Sequence, residues 1–312
     1  MTTNQTAVSV HGLTKRYGRR AVVDGLDLEL PSGVVAGFIG PNGAGKTTTM
    51  AMLLGLVRPS AGDGTVLGDP LDDPAAFLPR VGAMIESPAF YPALTGRQNL
   101  RMFATVGRLP EARIAELLDV VRLDERSDDP YRTYSLGMKQ RLGIAAAMLG
   151  DPALLILDEP ANGLDPQGVR EMRELIGSLA HRGRTVLVSS HDLSELEQVC
   201  DWLVLIEAGR IVYQGRTVDF VGTAVDGLAV APEHPSDLAV LCAVLRSAGH
   251  QVHERDGRLV VDDVDDGRAL AASVNRAAHD AGIVLVELSP LRSSLEDRYL
   301  ALVRRGEEGA AS

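Results

Sequence analysis

A glycine-rich run between an apolar segment and a helix-forming segment constrains the fold of this chain more than any other feature. The run is Gly-Pro-Asn-Gly-Ala-Gly-Lys-Thr-Thr at residues 40–48, after the apolar residues 34–39 and before residues 50–54, whose composition suits a helix. This order of strand, loop and helix satisfies the pattern G-x-x-x-x-G-K-[ST], whose backbone N–H groups surround nucleotide phosphates. The sequence therefore predicts a phosphate-binding loop.

The residues of this loop have distinct predicted roles. Glycines let the backbone approach a phosphate closely and adopt positive φ angles, and the following helix directs its partial positive end at the same anion. We expect Lys46 to reach the β- and γ-phosphates and the Thr47 hydroxyl to ligate Mg²⁺. The predicted nucleotide-binding residues of the loop are Gly40, Pro41, Asn42, Gly43, Ala44, Gly45, Lys46, Thr47 and Thr48.

Composition narrows the class of protein. The chain has 312 residues, of which 45% are hydrophobic and 23% are charged, so we expect one large and one smaller domain with a sizeable core. A net charge of −11 without a strongly basic block argues against nucleic acid as a partner. No signal pattern opens the chain, and no window approaches the roughly 18 consecutive apolar residues of a membrane span. We expect a soluble protein that reaches a membrane only through a partner.

The two cysteines give little functional information. Cys200 and Cys242 lie far apart in the sequence and have no metal-ligand spacing. We expect two reduced, buried thiols, as is usual for a cytosolic protein.

Apolar runs and helical segments alternate along the first two thirds of the chain. Residues 7–40 predict short strands at 7–10, 21–23, 26–30 and 34–39, and residues 95–149 are mostly helical in pattern, with helices at 111–121 and 138–149. Leu154–Leu157 and Thr185–Ser189 have the composition of buried parallel strands, with a helix at Pro166–Ala180 between them. This alternation predicts an α/β domain with a mainly parallel sheet.

The order of elements changes after about residue 223. Strand, helix, strand, hairpin turn, strand, helix and strand follow one another, which predicts a small α+β domain of ferredoxin-like topology. The expected segments are 228–230, 236–248, 259–261, 268–281 and 283–288, with a turn at Asp256–Gly257 and a last helix at 294–303. Asp262, Asp263, Asp265 and Asp266 lack calcium-loop spacing, so a solvated acidic turn is preferred over a metal site.

Two carboxylates and a histidine end the predicted parallel strands. Asp158 and Glu159 follow Leu157: the first suits a Mg²⁺ ligand, and the second suits a group that orients or deprotonates the water attacking a γ-phosphate. His191 follows the strand 185–189 at the same edge, where α/β proteins bind ligands, and its ring can donate to the γ-phosphate and hold Glu159. The candidate catalytic residues are therefore Glu159, His191 and Lys46.

A further segment, Tyr134–Arg141, opens a helix. Ser135 suits the N-cap position, and Gly137 permits another backbone to approach closely. From the residues alone this segment is a helix start and nothing more.

Taken in order, these motifs resemble a known family. The phosphate loop, Ser-Leu-Gly-Met-Lys-Gln-Arg, Leu-Leu-Ile-Leu-Asp-Glu-Pro, Asn-Gly-Leu-Asp-Pro and Ser-Ser-His-Asp are similar to the signature of ABC ATPases, the ATP-binding subunits of ABC transporters. The resemblance covers roughly residues 5–223. It implies an ABC-type P-loop ATPase domain with a mainly parallel core sheet, an antiparallel β subdomain and a helical subdomain at about 87–150. A small accessory domain at 226–303 and a disordered tail at 304–312 are expected to follow.

The resemblance also implies contacts that the residues alone do not. Tyr17 would stack on adenine, while Ser135 and Gly137 would contact the γ-phosphate of ATP held by the opposite subunit. The segment 162–165, which begins at Asn162, would link the two sites across a head-to-tail dimer, with Asp165 among the nucleotide-binding residues. ATP would close this dimer and hydrolysis would open it. This alternation between closed and open states would drive conformational change in a membrane partner. Because the signature and Glu159 are both present, a homodimer is expected.

The chain departs from the usual family pattern at two positions. Leu136 replaces the first glycine of the signature, and Glu86 stands where most members have a glutamine. Glu86 would bring a third carboxylate towards Mg²⁺ beside Asp158 and Glu159, which would favour metal binding or raise the pKa of one carboxyl. Residues 85–100, with the signature, are similar to the bacitracin-resistance type of exporter ATPase. That similarity implies export of a peptide antibiotic, a lipid or another amphiphile through a separate permease.

The segment Glu86–Phe103 contains Phe90, Tyr91 and Phe103. In the family this region receives the coupling helix of the membrane subunit, whereas a satellite aromatic core is the alternative interpretation. The resemblance thus implies a cytoplasmic protein held at the inner face of the cell membrane by its permease.

Two other functional classes remain open. A soluble, non-transport ABC ATPase with a regulatory role is the first alternative, although a single phosphate loop, the absence of sustained heptads and the acidic charge oppose nucleic-acid handling. A module that binds ATP without hydrolysing it is the second, and the presence of Glu159 and His191 opposes it.

Overall fold

The computed structural model describes residues 6–86, 89–180, 183–196, 198–221, 227–255, 257–262, 267–291 and 298–299. The chain divides into two compact units, Met1–Thr217 and Val218–Ser312.

The first unit combines strands and helices throughout its length. Its strands are β1 (Thr6–Tyr17), β2 (Arg20–Pro31), β3 (Val35–Ile39), β4 (Ala61–Val66), β5 (Asp69–Pro70), β6 (Val81–Met84), β7 (Leu154–Leu157), β8 (Thr185–Ser190), β9 (Trp202–Glu207) and β10 (Arg210–Arg216). Its helices are α1 (Lys46–Leu53), α2 (Pro74–Phe77), α3 (Gly96–Gly107), α4 (Ile114–Val120), α5 (Leu136–Ala147), α6 (Pro166–Ala180) and α7 (Leu193–Leu196), and α8 (Thr217–Val221) begins at its last residue.

A six-stranded sheet with the order β10-β9-β3-β8-β7-β6 forms the centre of this unit. The pairs β3–β8, β3–β9, β7–β8 and β6–β7 are parallel, and β10 pairs with β9 in the antiparallel sense. All residues of β3, β7 and β8 are buried, as expected for strands covered on both faces. The prediction of a mainly parallel sheet is confirmed, and the carboxyl ends of β3, β7 and β8 meet at one edge.

A second sheet, β2-β1-β4-β5, is antiparallel. The prediction of short strands before residue 31 is wrong, because β1 and β2 each extend over 12 residues and pair as one hairpin. The pairing contains irregularities, one of them between Val10 and Leu13. A bulge breaks the alternation of apolar and polar residues without ending the strand, and both of these residues are fully buried. The pattern therefore suggested strand ends where the strand continues.

The helical part of the unit contains α3, α4 and α5. The segment predicted as a helix at 111–121 is a 3₁₀ turn at Glu111–Arg113 followed by α4, and the helix predicted at 138–149 begins two residues earlier, at Leu136. Ser135 caps α5, because its hydroxyl accepts a hydrogen bond from the Met138 N–H at 3.3 Å.

The second unit contains β11 (Gly227–Pro232), α9 (Leu238–Ser247), β12 (Val252–Arg255), β13 (Arg258–Asp262), α10 (Gly267–Asp280) and β14 (Leu285–Leu291). Its sheet has the order β12-β13-β11-β14 with antiparallel neighbours, which confirms the ferredoxin-like topology. Apolar side chains such as Leu228, Leu241 and Val274 form its core. The predicted helix at 294–303, apart from residues 298–299, lies outside the described residues. So do the tail at 304–312, Asp256, Asp263, Asp265 and Asp266.

The cysteines differ from each other in burial. Cys200 is buried, and this burial raises the pKa of its thiol far above the ordinary value. Cys242 is only partly buried, so the expectation of two buried thiols is wrong for this residue. On α9 the buried positions are Leu241 and Leu245, and Cys242 packs only against the edge of this core.

Candidate active site

The glycine-rich loop joins β3 to α1 at the carboxyl edge of the parallel sheet. A Cβ atom at Gly40 would lie 2.2 Å from the Ile206 carbonyl oxygen, so no other residue fits there. Gly45 has a φ of +106°, and a Cβ at this position would lie 2.8 Å from the Val22 carbonyl oxygen. Both glycines thus let the loop pass against neighbouring backbone, and Gly45 does so in a conformation that L side chains rarely adopt.

Lys46 carries a charge into the interior at the start of α1. Its side chain is only 6% exposed, and its Nζ donates to the Gly40 carbonyl oxygen at 2.6 Å. The same Nζ lies 3.1 Å from Oε1 of Glu159. A buried ammonium is stable only when it is paired, and here a carboxylate and a carbonyl pair with it. The phosphate loop and the end of β7 are therefore joined by an ion pair.

Asp158 is the next anchor of the site. The Thr47 hydroxyl donates to Oδ2 of Asp158 at 2.7 Å, and the Ser189 hydroxyl donates to its Oδ1 at 2.5 Å. Asp158 is 5% exposed, so these two donors stabilise a buried carboxylate. The structure thus places the loop threonine and the strand-end aspartate in direct contact.

Glu159 has a positive φ of 48°, which turns the chain sharply after Asp158. Its backbone N–H donates to the Ser189 hydroxyl at 2.9 Å, and its Oε2 lies 2.8 Å from Nδ1 of His191. Its side chain is one fifth exposed. The carboxylate is therefore fixed between Lys46 on one oxygen and His191 on the other.

Ser189 is a positioning residue that the sequence analysis did not identify. It is fully buried, and its hydroxyl accepts from Glu159 while donating to Asp158. Its position near the end of β8, two residues before His191, is the signal that points to it: polar residues at the carboxyl ends of parallel strands face the ligand edge.

An open cleft lies along this network. Its lining residues are Val22, Asn42, Gly43, Gly45, Lys46, Thr47, Thr48, Glu159 and Asn162. Asn162 belongs to the segment 162–165, which is expected to link the two sites of a dimer, and it lines the cleft beside Glu159. Six residues of the predicted phosphate loop line this cleft together with the catalytic candidate Glu159.

The remaining site candidates lie elsewhere on the first unit. Tyr17 is 54% exposed on β1, and the Lys15 Nζ lies 5.1 Å from the centre of its ring. Ser135 caps α5, and Oδ1 of Asp165 accepts from the Gly168 N–H at 2.7 Å, which caps α6. Gly137 lies within the first turn of α5. Among the described residues, no hydrogen bond or ion pair joins any of these to Lys46, Asp158 or Glu159.

Glu86 follows β6 at the same sheet edge. The Met84 carbonyl oxygen accepts from the Asp158 N–H at 2.8 Å, so the two strand ends are adjacent. Glu86 itself is exposed and has a positive φ of 59°. Within the part of the chain that the structure describes, no group of three or more His, Cys, Asp or Glu side chains is arranged to hold a metal ion.

The aromatic residues near Glu86 form a small cluster with the segment before α5. The ring centres of Phe90 and Phe103 are 5.3 Å apart, and those of Phe90 and Tyr131 are 5.1 Å apart, both in edge-to-face geometry. Tyr91 is 59% exposed beside this cluster. The segment thus contributes both packed rings and an exposed ring.

No helix among the described residues has the length and apolar character that crossing a bilayer requires.

Comparisons with known proteins agree with this arrangement. A family model described as ABC transporter matches residues 23–162, and a domain of unknown function (DUF8746) matches residues 226–296. A solved structure of the ATP binding subunit of an ABC transporter is similar to this chain. It is 33% identical with a TM-score of 0.61, over 69% of this chain and 92% of that one.

Full-length relatives are similar over nearly the whole chain. The uncharacterized ABC transporter ATP-binding protein YhcH of Bacillus subtilis (strain 168) is 42% identical over 97% of this chain and 98% of its own. The bacitracin transport ATP-binding protein BcrA of Enterococcus faecalis is 35% identical over 96% of this chain and 97% of its own. The daunorubicin resistance ATP-binding protein DrrA3 of Streptomyces coeruleorubidus is 36% identical over 98% of this chain and 99% of its own. With its phosphate loop, its paired carboxylates and these relatives, the chain belongs to the ABC transporter ATP-binding proteins, a family of ATPases.

Proposed function

We propose that this chain powers export through a separate membrane permease, with two identical copies closing around ATP and opening after hydrolysis. The observation that carries the proposal is the contact of Lys46 with Glu159 and of Glu159 with His191 at the cleft. Relatives named for bacitracin transport, daunorubicin resistance and lantibiotic transport favour a peptide antibiotic, a lipid or another amphiphile as the cargo. The ATPase domain is assigned to residues 5–223 and the accessory domain to 226–303.

Each residue of the network has a separate role in this proposal. A γ-phosphate held by Lys46 lies within reach of Glu159, because the two side chains are 3.1 Å apart. Glu159 then orients and deprotonates the attacking water, and His191 holds the carboxylate and donates to the γ-phosphate. Ser189 fixes the backbone of Glu159 and the side chain of Asp158 at once.

Thr47 and Asp158 suit Mg²⁺, because their hard oxygens are already adjacent where the phosphate loop meets the end of β7. When bound, Mg²⁺ neutralises the charge of the transferred phosphate. Among the described residues, Glu86 does not group with Asp158 and Glu159, so its proposed role as a third carboxylate requires its exposed side chain to turn towards Mg²⁺ when the metal binds. The Glu86→Gln variant is expected to retain ATPase activity but to need more Mg²⁺ for half-maximal rate. An unchanged Mg²⁺ titration would remove Glu86 from the metal site.

The dimer completes the site in this proposal. Ser135 and Gly137 contact the γ-phosphate held by the opposite copy, Asp165 links the two sites, and Tyr17 stacks on adenine. The exposure of Ser135 and Tyr17 on the first unit supports these roles.

The permease docks on the segment Glu86–Phe103, which keeps the protein at the cytoplasmic face of the membrane. Tyr91 supports this assignment, because an aromatic ring that is 59% exposed beside a packed cluster is typical of a protein interface. Phe90, in contrast, contacts two other rings, so the satellite-core interpretation holds for that residue.

Membrane association in the native host tests the proposal. Wild type is expected to sediment with membranes, whereas Tyr91→Asp remains in the supernatant and, after purification, hydrolyses ATP as wild type does. Leu56→Asp is the matched control, because it adds a charge at a leucine that is 68% exposed elsewhere. Wild type in the supernatant with full ATPase activity would favour the regulatory ATPase instead.

A further inference from the structure

Two leucines and two glycines interlock where the start of α5 meets the loop before α6. A Cβ atom at Gly163 would lie 3.2 Å from Cδ2 of Leu136, so Leu136 occupies the space beside this glycine. In the other direction, a Cβ at Gly137 would lie 3.7 Å from Cδ2 of Leu164. Each segment thus places a leucine against the glycine of the other segment.

The position of Leu136 is unusual for an apolar side chain. It is 46% exposed at the first position of α5, directly after the capping Ser135. The contact with Gly163, which has a φ of +76°, covers part of this side chain. Removing that apolar area from water stabilises the contact. The glycine leaves room for the leucine, and the backbone conformation disfavours any larger residue.

A second contact joins α5 to α6 itself. Arg141 on α5 lies 2.6 Å from Oε2 of Glu171 on α6, and both side chains are mostly buried. Asp165 caps α6 through the Gly168 N–H, so the loop that contains Leu164 is fixed to the same helix. The interlock therefore holds the start of α5 against the loop before α6, and the ion pair holds α5 against α6 itself.

We propose that Leu136 and Leu164 are positioning residues that make residues 135–137 and 162–165 one unit. This inference rests on the proposed function, in which both segments address the nucleotide of the opposite copy. With the interlock intact, Ser135 and Asp165 approach the opposite copy in a fixed relative position. Without it, each segment must be ordered separately when the dimer closes, which weakens closure while nucleotide binding to one copy is unchanged.

ATP-dependent dimerisation of the Glu159→Gln protein, measured by sedimentation equilibrium, tests this role. Leu136→Ala and Leu164→Ala are each added to that protein, singly and together, and Leu56→Ala serves as the exposed-leucine control. We expect each single change to raise the dimer dissociation constant about tenfold, while the ATP affinity of the monomer and the melting temperature remain unchanged. The double change adds little, because both truncations break the same interlock.

Rescue separates positioning from a loss of folding. Leu136→Met keeps an apolar side chain of similar volume and reach and is expected to dimerise as Glu159→Gln alone does. If Leu136→Ala lowers the melting temperature, Leu164→Ala provides the same test from the other segment. Dimerisation of both alanine variants with unaltered affinity would overturn the inference. Failure of Glu159→Gln itself to dimerise with ATP would instead overturn the proposed function, and the inference with it.

Discussion

The two units of the chain differ in what they bury. Among the described residues, the buried polar and charged side chains all lie in the first unit: Lys46, Thr49, Asn99, Ser127, Gln140, Asp158, Arg184, Thr185, Ser189, Ser190 and Thr217. The described core of the second unit is apolar. Burying a polar group costs free energy unless the group is paired. A domain with no chemical role is therefore expected to bury few polar side chains. The contrast assigns the chemistry to the first unit.

Within the first unit, the partners of a buried polar group distinguish residues with a structural role from residues of the candidate active site. Asn99 makes four hydrogen bonds to backbone, including its Oδ1 accepting from the Tyr91 N–H at 2.8 Å, and holds the loop before α3. Lys46 and Asp158, in contrast, pair with side chains from distant parts of the chain. Side chains that converge from several strand ends are typical of a reactive site.

The largest expected effect is at Lys46. Lys46→Ala removes the buried charge that pairs with Glu159, and we expect ATP affinity to fall by about 100-fold or more. Titration calorimetry measures this, with Arg210→Ala, which removes an exposed charge paired with Asp24, as the control. Wild-type affinity in Lys46→Ala would break the assignment of the site to the first unit.

A core substitution in the second unit tests the other side of the comparison. Leu241 is fully buried there, and Leu241→Ala is expected to lower the free energy of unfolding of this unit by about 2–5 kcal/mol. ATP turnover below the unfolding temperature should equal that of wild type. Denaturant unfolding and ATPase assays measure the two effects, and Val240→Ala, an exposed neighbour on α9, should change neither. Lost turnover in folded Leu241→Ala would extend the chemistry to the second unit.

The smallest expected effect concerns an ion cluster of the first unit that lies away from the site. In this cluster Asp151 accepts a hydrogen bond from Arg184 and lies near Arg113. These contacts lower the pKa of Asp151 below its ordinary value. A lowered pKa stabilises the folded state above the ordinary pKa of the carboxyl, and this contribution disappears as the pH falls through the lowered value. Because the Asp151 side chain is largely exposed, we expect Asp151→Asn to cost at most about 1 kcal/mol at pH 7.

Urea unfolding at pH 7 and in acid measures this difference. Wild type and Asp151→Asn should converge in acid, and a difference that is independent of pH would show that the charge is not its source.

The sequence predicts a site residue when the reason for that residue lies in its immediate neighbours along the chain. The phosphate loop could be predicted because Gly40 and Gly45 are needed for backbone approach, and the pair Asp158–Glu159 because it ends a continuous apolar strand. Ser189 could not be assigned a role, since its hydrogen bonds depend on how β7 and β8 pair. The contact between Leu136 and Gly163 was equally inaccessible, because it joins segments 27 positions apart through tertiary packing.

The length of β1 shows a different limit. Its bulges shift the burial pattern between Val10 and Leu13, so periodicity ended the strand too early. Alternation predicts a strand only while the register is regular.

Glu159 is proposed to activate the attacking water at the edge of the parallel sheet. Steady-state ATP hydrolysis by purified wild type and Glu159→Gln, with ATP binding measured in parallel, tests this role most directly. We expect Glu159→Gln to bind ATP and to lose turnover by about 10²–10⁴-fold, because the amide cannot accept the proton of the attacking water. Wild-type turnover by Glu159→Gln would contradict the account and leave the carboxylate as a structural partner of Lys46 and His191.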